Sequence, residues 1–308
     1  WHLPRARDYR LSHLHGRWAD EYNLTREPLI NGVKVLESRR LTTSHHANPW
    51  FAVDCGNADE EQGEVWFGAL AWSGNWKFIA ETTDFSMTRL SLGLNDWDFA
   101  WRLNPNETFD TPSAIFGYAD NGFGSASRRL HDYIRDRILP NGTDLRKVLY
   151  NSWEATTFNV DETSQVALAE LAAEMGVELF VMDDGWFHGR NHDYAGLGDW
   201  WCDETKFPHG LTPLIERVNA LGMDFGLWVE PEMVNPDSDL YRAHPDWVIH
   251  FPKRARTEAR NQLILNFSRA DVQAYILEKL DRILSENNIR FIKWDMNRNA
   301  SEPGWDTA

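Results

Sequence analysis

Through the first hundred residues, apolar and polar positions interchange in short runs separated by turn-forming residues, a pattern of antiparallel β-structure. Residues 64–72 and 76–81 are apolar-rich runs on either side of Ser73-Gly74-Asn75, and that turn signal predicts a hairpin. Further strands are expected over residues 86–92 and 99–103. Strands joined by short turns suggest an antiparallel sandwich. After Pro112 the period lengthens. Leu130, Ile134 and Ile138 fall on one face of a helix over residues 125–138, which Pro140-Asn141-Gly142 stops. This helix reads as a connector between two domains.

From Lys147 onward the rhythm becomes βαβα. Short apolar strands are expected at residues 147–150, 178–182, 225–229 and 290–294. Leu168, Leu171, Ala172 and Met175 recur at the helical period, with Asp161 placed to cap the start and Gly176 the end. Thr212-Pro213 offers an N-cap with proline at the first helical position, ahead of Leu214, Val218 and Leu221. A longer helix over residues 271–286 buries Val272, Ile276, Leu280 and Ile283.

Such alternation means a parallel sheet, either doubly wound or a (β/α)8 TIM barrel. The first strand runs into Asn151-Ser152-Trp153-Glu154, which is not the Gly-rich turn of a dinucleotide-binding sheet. The strands end instead on Trp153 and Glu154, Asp183 and Asp184, Glu230 and Glu232, and Asp295. Barrel chemistry sits at strand carboxyl ends, so the barrel is favoured. Four tilted strands cannot close. The chain therefore covers about half of one.

The net charge of −16 argues against a nucleic-acid partner, since this surface repels phosphate. No apolar run approaches the ~20 residues that cross a bilayer, so no membrane partner is expected. Cys55 and Cys202 cannot build a disulfide framework and suit a reducing compartment. The chain starts on Trp1, which reads as a cut or processed start, and a cytoplasmic location is the expectation. The 16 Trp, 8 Tyr and 16 Phe can fill a core, and Trp is also well shaped to stack on a sugar ring.

Carboxylate chemistry is the first hypothesis. Lys293 and Asp295 share a strand face, where an ammonium lowers a neighbouring carboxyl's pKa. An ionised, oriented Asp suits attack on an anomeric carbon; a structural ion pair is the equal alternative. Adjacent Asp183 and Asp184 repel, and require a metal, a cation or several hydroxyl donors; a solvent-facing or capping pair is the commoner reading of a double Asp at a turn, and the strand-end position favours function. Trp153 and Trp228 can wall a sugar or belong to the core. Arg260 can fork onto a carboxylate or hydroxyl. His188 and His192 lack a helical face to share, and no metal-ligand spacing is present. No metal and no cofactor are expected. There is no Gly-x-Ser-x-Gly elbow either.

Four stretches in order carry a resemblance: Asn151-Ser152-Trp153-Glu154, Phe180-Val181-Met182-Asp183-Asp184-Gly185-Trp186, Gly226-Leu227-Trp228-Val229-Glu230-Pro231-Glu232-Met233-Val234 and Lys293-Trp294-Asp295-Met296-Asn297-Arg298. With His244-Pro245-Asp246-Trp247 and Arg260-Asn261-Gln262, the chain resembles the bacterial α-galactosidases of glycoside hydrolase family 36.

The resemblance implies a retaining enzyme that removes terminal α-linked galactose from oligosaccharides such as melibiose and raffinose. Asp295 is then the nucleophile, and Asp183 and Asp184 bind galactose hydroxyls. Trp153, Trp228, Arg260 and Lys293 complete the pocket. The family's acid/base Asp lies beyond the fourth strand and is not present in this chain. An inactive fragment is therefore expected here, from a parent that is a homo-oligomer when full length.

In those terms residues 1–112 are the later part of an N-terminal β-sandwich. Residues 113–146 are a helical linker, and 147–308 the first four βα units of the catalytic barrel. The competing classes are a galactoside-binding protein without catalysis, a galactosyl transferase of the same family, and a metal-dependent barrel hydrolase.

Overall fold

The short alternating runs become eight strands in the computed structural model, which describes residues 1–3, 8–85 and 87–301. They are β1 (Arg10–Arg17), β2 (Asp20–Pro28), β3 (Gly32–Glu37), β4 (Trp50–Asp54), β5 (Val65–Ala71), β6 (Trp76–Thr82), β7 (Thr88–Leu94) and β8 (Ser113–Ala119). One sheet has the order β2-β1-β4-β5-β8 and the other β3-β6-β7, with antiparallel pairing in both.

Leu11, Phe51, Val53, Trp66 and Leu70 of the first sheet meet Leu36, Trp76, Phe78, Ala80 and Leu90 of the second in one buried cluster. That is a sandwich core. Phe51 stacks on Phe78 with ring centroids 4.3 Å apart. Its position needs Gly68 opposite, where a Cβ would come within 2.7 Å of the Phe51 ring.

Four expectations change in this unit, Trp1–Asp144. The runs either side of Ser73-Gly74-Asn75 are not a hairpin: β5 pairs with β4 and β8, and β6 with β3 and β7. The turn carries the chain from one layer to the other, so each strand can bury apolar side chains between sheets. Residues 99–103 form no strand. Phe99 and Trp101 alternate as strand residues do, but both turn toward Phe109 and remain exposed.

Residues 113–119, expected at the start of the helical linker, are β8, paired with β5 along seven positions. Ser86, at the start of the expected 86–92 strand, lies outside the described residues. Helix α1 (Gly122–Tyr133) begins earlier than expected and runs into a π-helical turn, Ile134–Ile138. Phe123 and Ala126 of α1 pack against Ala52, Val65 and Phe67 on the outer face of the larger sheet.

The second unit, Leu145–Ala308, follows the βαβα pattern. Its elements are β9 (Leu149–Asn151), α2 (Trp153–Thr156), α3 (Glu162–Glu174), β10 (Leu179–Met182), α4 (Thr212–Ala220) and β11 (Asp224–Val229). Then come β12 (Met233–Val234), α5 (Asp239–Ala243), β13 (Leu263–Ile264), α6 (Ala270–Glu286) and β14 (Phe291–Trp294).

Asp161 caps α3 in a reciprocal box with Ser164, and Gly176 follows the helix with a φ of +83°. For α4 the expected cap shifts by one: Thr212 is already helical, and Leu211 precedes it without a side-chain cap.

Strands β9, β10, β11 and β14 pair in parallel and in sequence order. A doubly wound sheet reverses its order at a switch point; this one does not. It is the opening arc of a (β/α)8 barrel, and its helices explain the burial. Phe180, Met182, Phe225 and Leu227 share a core with Ala169 and Ala172 of α3, Leu214 and Val218 of α4, and Val272 and Ile276 of α6. Among the described residues the arc stays open at β9 and β14, and Phe291, Trp294 and Met296 are exposed along the latter edge.

Candidate active site

Alternation along the strands puts Asp183 beyond β10, Trp228 and Glu230 at the end of β11, and Lys293 and Asp295 at the end of β14 on one face. Two bonds cross that face. Lys293 Nζ donates to Asp183 Oδ2 at 2.6 Å, and Trp228 Nε1 donates to Asp295 Oδ2 at 3.0 Å. The four side chains converge.

Asp183 is held from every side. The same Oδ2 accepts from Asn151 Nδ2 at 2.6 Å, Oδ1 accepts the Asp184 amide at 2.8 Å, and its own amide donates to Ser152 Oγ at 2.9 Å. Asp184 has a different partner and is only 5% exposed. Arg190 grips it bidentately, Nε to Oδ1 at 2.9 Å and Nη2 to Oδ2 at 2.8 Å. Burial pushes the Asp184 carboxyl above the ordinary range, and the guanidinium opposes that rise. Each neighbouring carboxylate thus has its own cation.

The turn between them is fastened too. Lys206 Nζ donates to the carbonyls of Gly185 at 2.7 Å, Arg190 at 2.8 Å and Phe158 at 3.2 Å. Arg190 continues to Ala195 O and Asn235 Oδ1, both at 3.0 Å.

One expectation is corrected here. Lys293 donates to Asp183, not to Asp295, because its long stem reaches past β11. Half-buried Asp295 is held by neutral donors: Trp228 Nε1 and Asn297 Nδ2 (2.9 Å) on Oδ2, and the Met296 amide at 3.2 Å on Oδ1.

Trp228 is 2% exposed, packed parallel to Phe187 and near Trp200 with centroids 6.2 Å away in each case. It is a core residue that offers an N–H edge. Trp153 opens α2, half-buried, and stands edge-on to Phe158 at 5.1 Å. Arg260 is exposed at the tip of a two-residue turn between Ala259 and Gln262, with φ of +54° there and +57° at Asn261. Its side chain makes no hydrogen bond among the described residues. Trp153 and Arg260 are therefore not joined to the central four.

Sequence reasoning missed Asn151, Arg190 and Asn297. Arg190 is a lone arginine in a loop, and its pairing exists only once that loop folds back. The sequence places Glu230 at a strand end and gives it no role. It is 1% exposed, with Oε2 accepting from Gln262 Nε2 at 3.0 Å and Oε1 from the Asn297 amide. Burial raises its carboxyl, and the Asp295 charge adds to the rise. His188 stacks on Trp201 and His192 on Tyr194. No group of three potential metal ligands gathers among the described residues.

The fold and site define a class of architecture: a β-sandwich followed by the first strands of a (β/α)8 barrel, with paired carboxylates at the strand ends. Residues 108–308 match the melibiase family model, and residues 1–104 match the glycosyl hydrolase family 36 N-terminal domain. The chain belongs to this family.

It is 46% identical to the α-galactosidase AgaA of Geobacillus stearothermophilus, over 98% of this chain and 42% of the relative. Against an α-galactosidase of Lactobacillus acidophilus the identity is 41%, over 96% and 41%. The crystal structure of AgaA superposes with a TM-score of 0.96 at 45% identity, covering 100% of this chain and 43% of that one. Variants of AgaA in complex with stachyose and with raffinose match to the same extent. The chain spans about 42% of the length of the curated relatives it matches.

Proposed function

We propose that this chain carries the nucleophile and the galactose-binding groups of a retaining α-galactosidase acting on oligosaccharides of the melibiose and raffinose type. The observation that carries the reading is the convergence of Asp295, Trp228, Lys293 and Asp183 at the carboxyl ends of three neighbouring strands. Asp295 attacks C1 of galactose. The C1–O bond breaks with its electron pair leaving on the aglycone oxygen, which takes a proton from an acid; water then cleaves the galactosyl ester.

No residue of this chain is assigned the acid role, and the 308 residues alone are proposed to be inactive. Asp183, with Lys293 beside it, accepts galactose hydroxyls, and a second contribution comes from Asp184. Trp153 and Arg260 complete the pocket in this proposal. Cytoplasmic location and homo-oligomeric assembly belong to the same proposal. Among the described residues no helix is long and apolar enough to cross a membrane.

The test is made on the full coding sequence. A slowly released fluorinated galactoside, followed by digestion and peptide mass measurement, is expected to label Asp295. Asp295→Asn is expected to lower kcat on an aryl α-galactoside by about a thousandfold or more, while galactose still binds. Label on another carboxylate, or turnover within about tenfold of the parent, would refute the assignment.

A further inference from the structure

Glu230 is an acidic side chain in a place where an unpaired charge is costly. Both of its oxygens are occupied, by Gln262 Nε2 and by the main-chain N–H of Asn297. Asn297 in turn donates its side-chain amide to Asp295 Oδ2 at 2.9 Å. One residue thus grips Glu230 with its backbone and Asp295 with its side chain. Asn297 lies in an irregular segment after β14 and is exposed, so no helix or strand fixes its conformation. Glu230 is its anchor.

From this relay we infer that Glu230 is a positioning residue, holding Asn297 so that Asn297 and Trp228 clamp Asp295 Oδ2 and leave Oδ1 to attack. The inference rests on the proposal that Asp295 is the nucleophile. Oδ2 carries two donors at 2.9 and 3.0 Å, whereas Oδ1 carries one, the adjacent amide at 3.2 Å. Donors draw density from an oxygen's lone pairs, so the less bonded oxygen is the better nucleophile. A carboxylate free to rotate loses the aligned geometry that a near-attack arrangement requires.

The surroundings also say which substitution preserves the relay. Gln262 Oε1 is buried without a partner. With Glu230→Gln, the new carboxamide oxygen still accepts from Asn297, and its N–H₂ donates to Gln262 Oε1 once that amide turns over. Glu230→Ala keeps neither bond.

The experiment compares Glu230→Ala, Glu230→Gln, Asn297→Ala and the double alanine variant in the full coding sequence, with an aryl α-galactoside. Glu230→Ala and Asn297→Ala are each expected to lower kcat by about tenfold or more with KM within about threefold. The double variant should be no worse than about threefold below the poorer single one, and Glu230→Gln should recover to within about fivefold of the parent.

Parent-like kcat in Asn297→Ala, multiplying effects in the double variant, or losses confined to KM overturn the inference. Should Glu230→Ala fail to fold, Asn297→Ala and Glu230→Gln decide it by the same criteria. Asp295→Asn is assayed alongside. Turnover within about tenfold of the parent there refutes the nucleophile proposal itself, whereas a loss of about a thousandfold in Asp295→Asn with an unaffected Asn297→Ala refutes only the relay.

Discussion

Lys293 reaches from β14 over β11 to Asp183 at the end of β10, with Nζ 2.6 Å from Oδ2. The lysine side chain is 38% exposed and the carboxylate 3%. The anion is thus buried and dependent on the pair, while the ammonium sits at the mouth. Two further N–H bonds of that ammonium remain for a substrate hydroxyl.

Lys293→Met removes the cation from a nearly buried carboxylate. Galactose affinity is expected to fall about tenfold or more, and stability by about 1–3 kcal/mol, less than for a fully buried pair because the lysine is partly solvated. Asp183→Asn should weaken affinity similarly, since an amide cannot accept as strongly from Lys293 and Asn151 together. Calorimetric titration with galactose checks both. Parent affinity in the two variants would remove this pair from the binding site.

Arg190→Met keeps the length of the side chain but strips the charge that faces buried Asp184. The expected loss is about 3–5 kcal/mol, read from the urea midpoint. Arg190→Lys should recover little, because a lysine cannot fork onto both oxygens. A loss below about 1 kcal/mol would show that the loop is held by other contacts.

Glu232 gives a pH signature. Its carboxyl is raised by burial, with the Trp294 indole N–H, at 2.9 and 3.0 Å, pulling the other way. A carboxyl whose folded pKa lies above its unfolded one is protonated more readily in the folded state. Its contribution to stability is fullest below the unfolded pKa and is lost as pH rises through the folded one. Glu232→Gln keeps an acceptor for Trp294 and abolishes the titration. Relative to the parent it should gain stability between about pH 4 and neutrality. A constant difference across that window would contradict the assignment.

Gly185 follows the paired aspartates with a φ of +106°, and a Cβ there would lie 2.9 Å from both Cα and the carbonyl oxygen of Phe158. Backbone cannot yield as a flexible side chain does. Gly185→Ala is expected to cost about 1–3 kcal/mol and to weaken galactose binding by displacing Asp183 and Asp184. Unaltered melting and affinity together would contradict this account of the turn.

Much of the barrel half was legible because its signals are local. Asp161, Ser164 and Gly176 bound α3 through contacts within one turn of helix, and strand β10 is a run of four buried residues. The sandwich was harder to read. Whether β5 and β6 form a hairpin or lie in different layers depends on their other neighbours, β4, β8, β3 and β7. Phe99 and Trp101 imitate a strand because alternation alone does not say what an aromatic residue packs against.

The amino-acid sequence by itself determined the order of the four parallel strands and of α3, α4 and α6 after Lys147, though not α2, α5 or the β12–β13 pair, and the placing of Asp183, Glu230 and Asp295 at strand ends, since periodicity and caps act over a few residues. Only the tertiary structure decided which donor meets which carboxylate. Lys293 and Asp295 are two apart in sequence, yet the lysine serves Asp183, while Trp228 and Asn297 serve Asp295. Strands β14 and β10 lie two spacings of about 4.8 Å apart, and the lysine stem, the aspartate side chain and the curvature of the sheet close that gap together, so partners are chosen by strand order and sheet curvature rather than by sequence proximity.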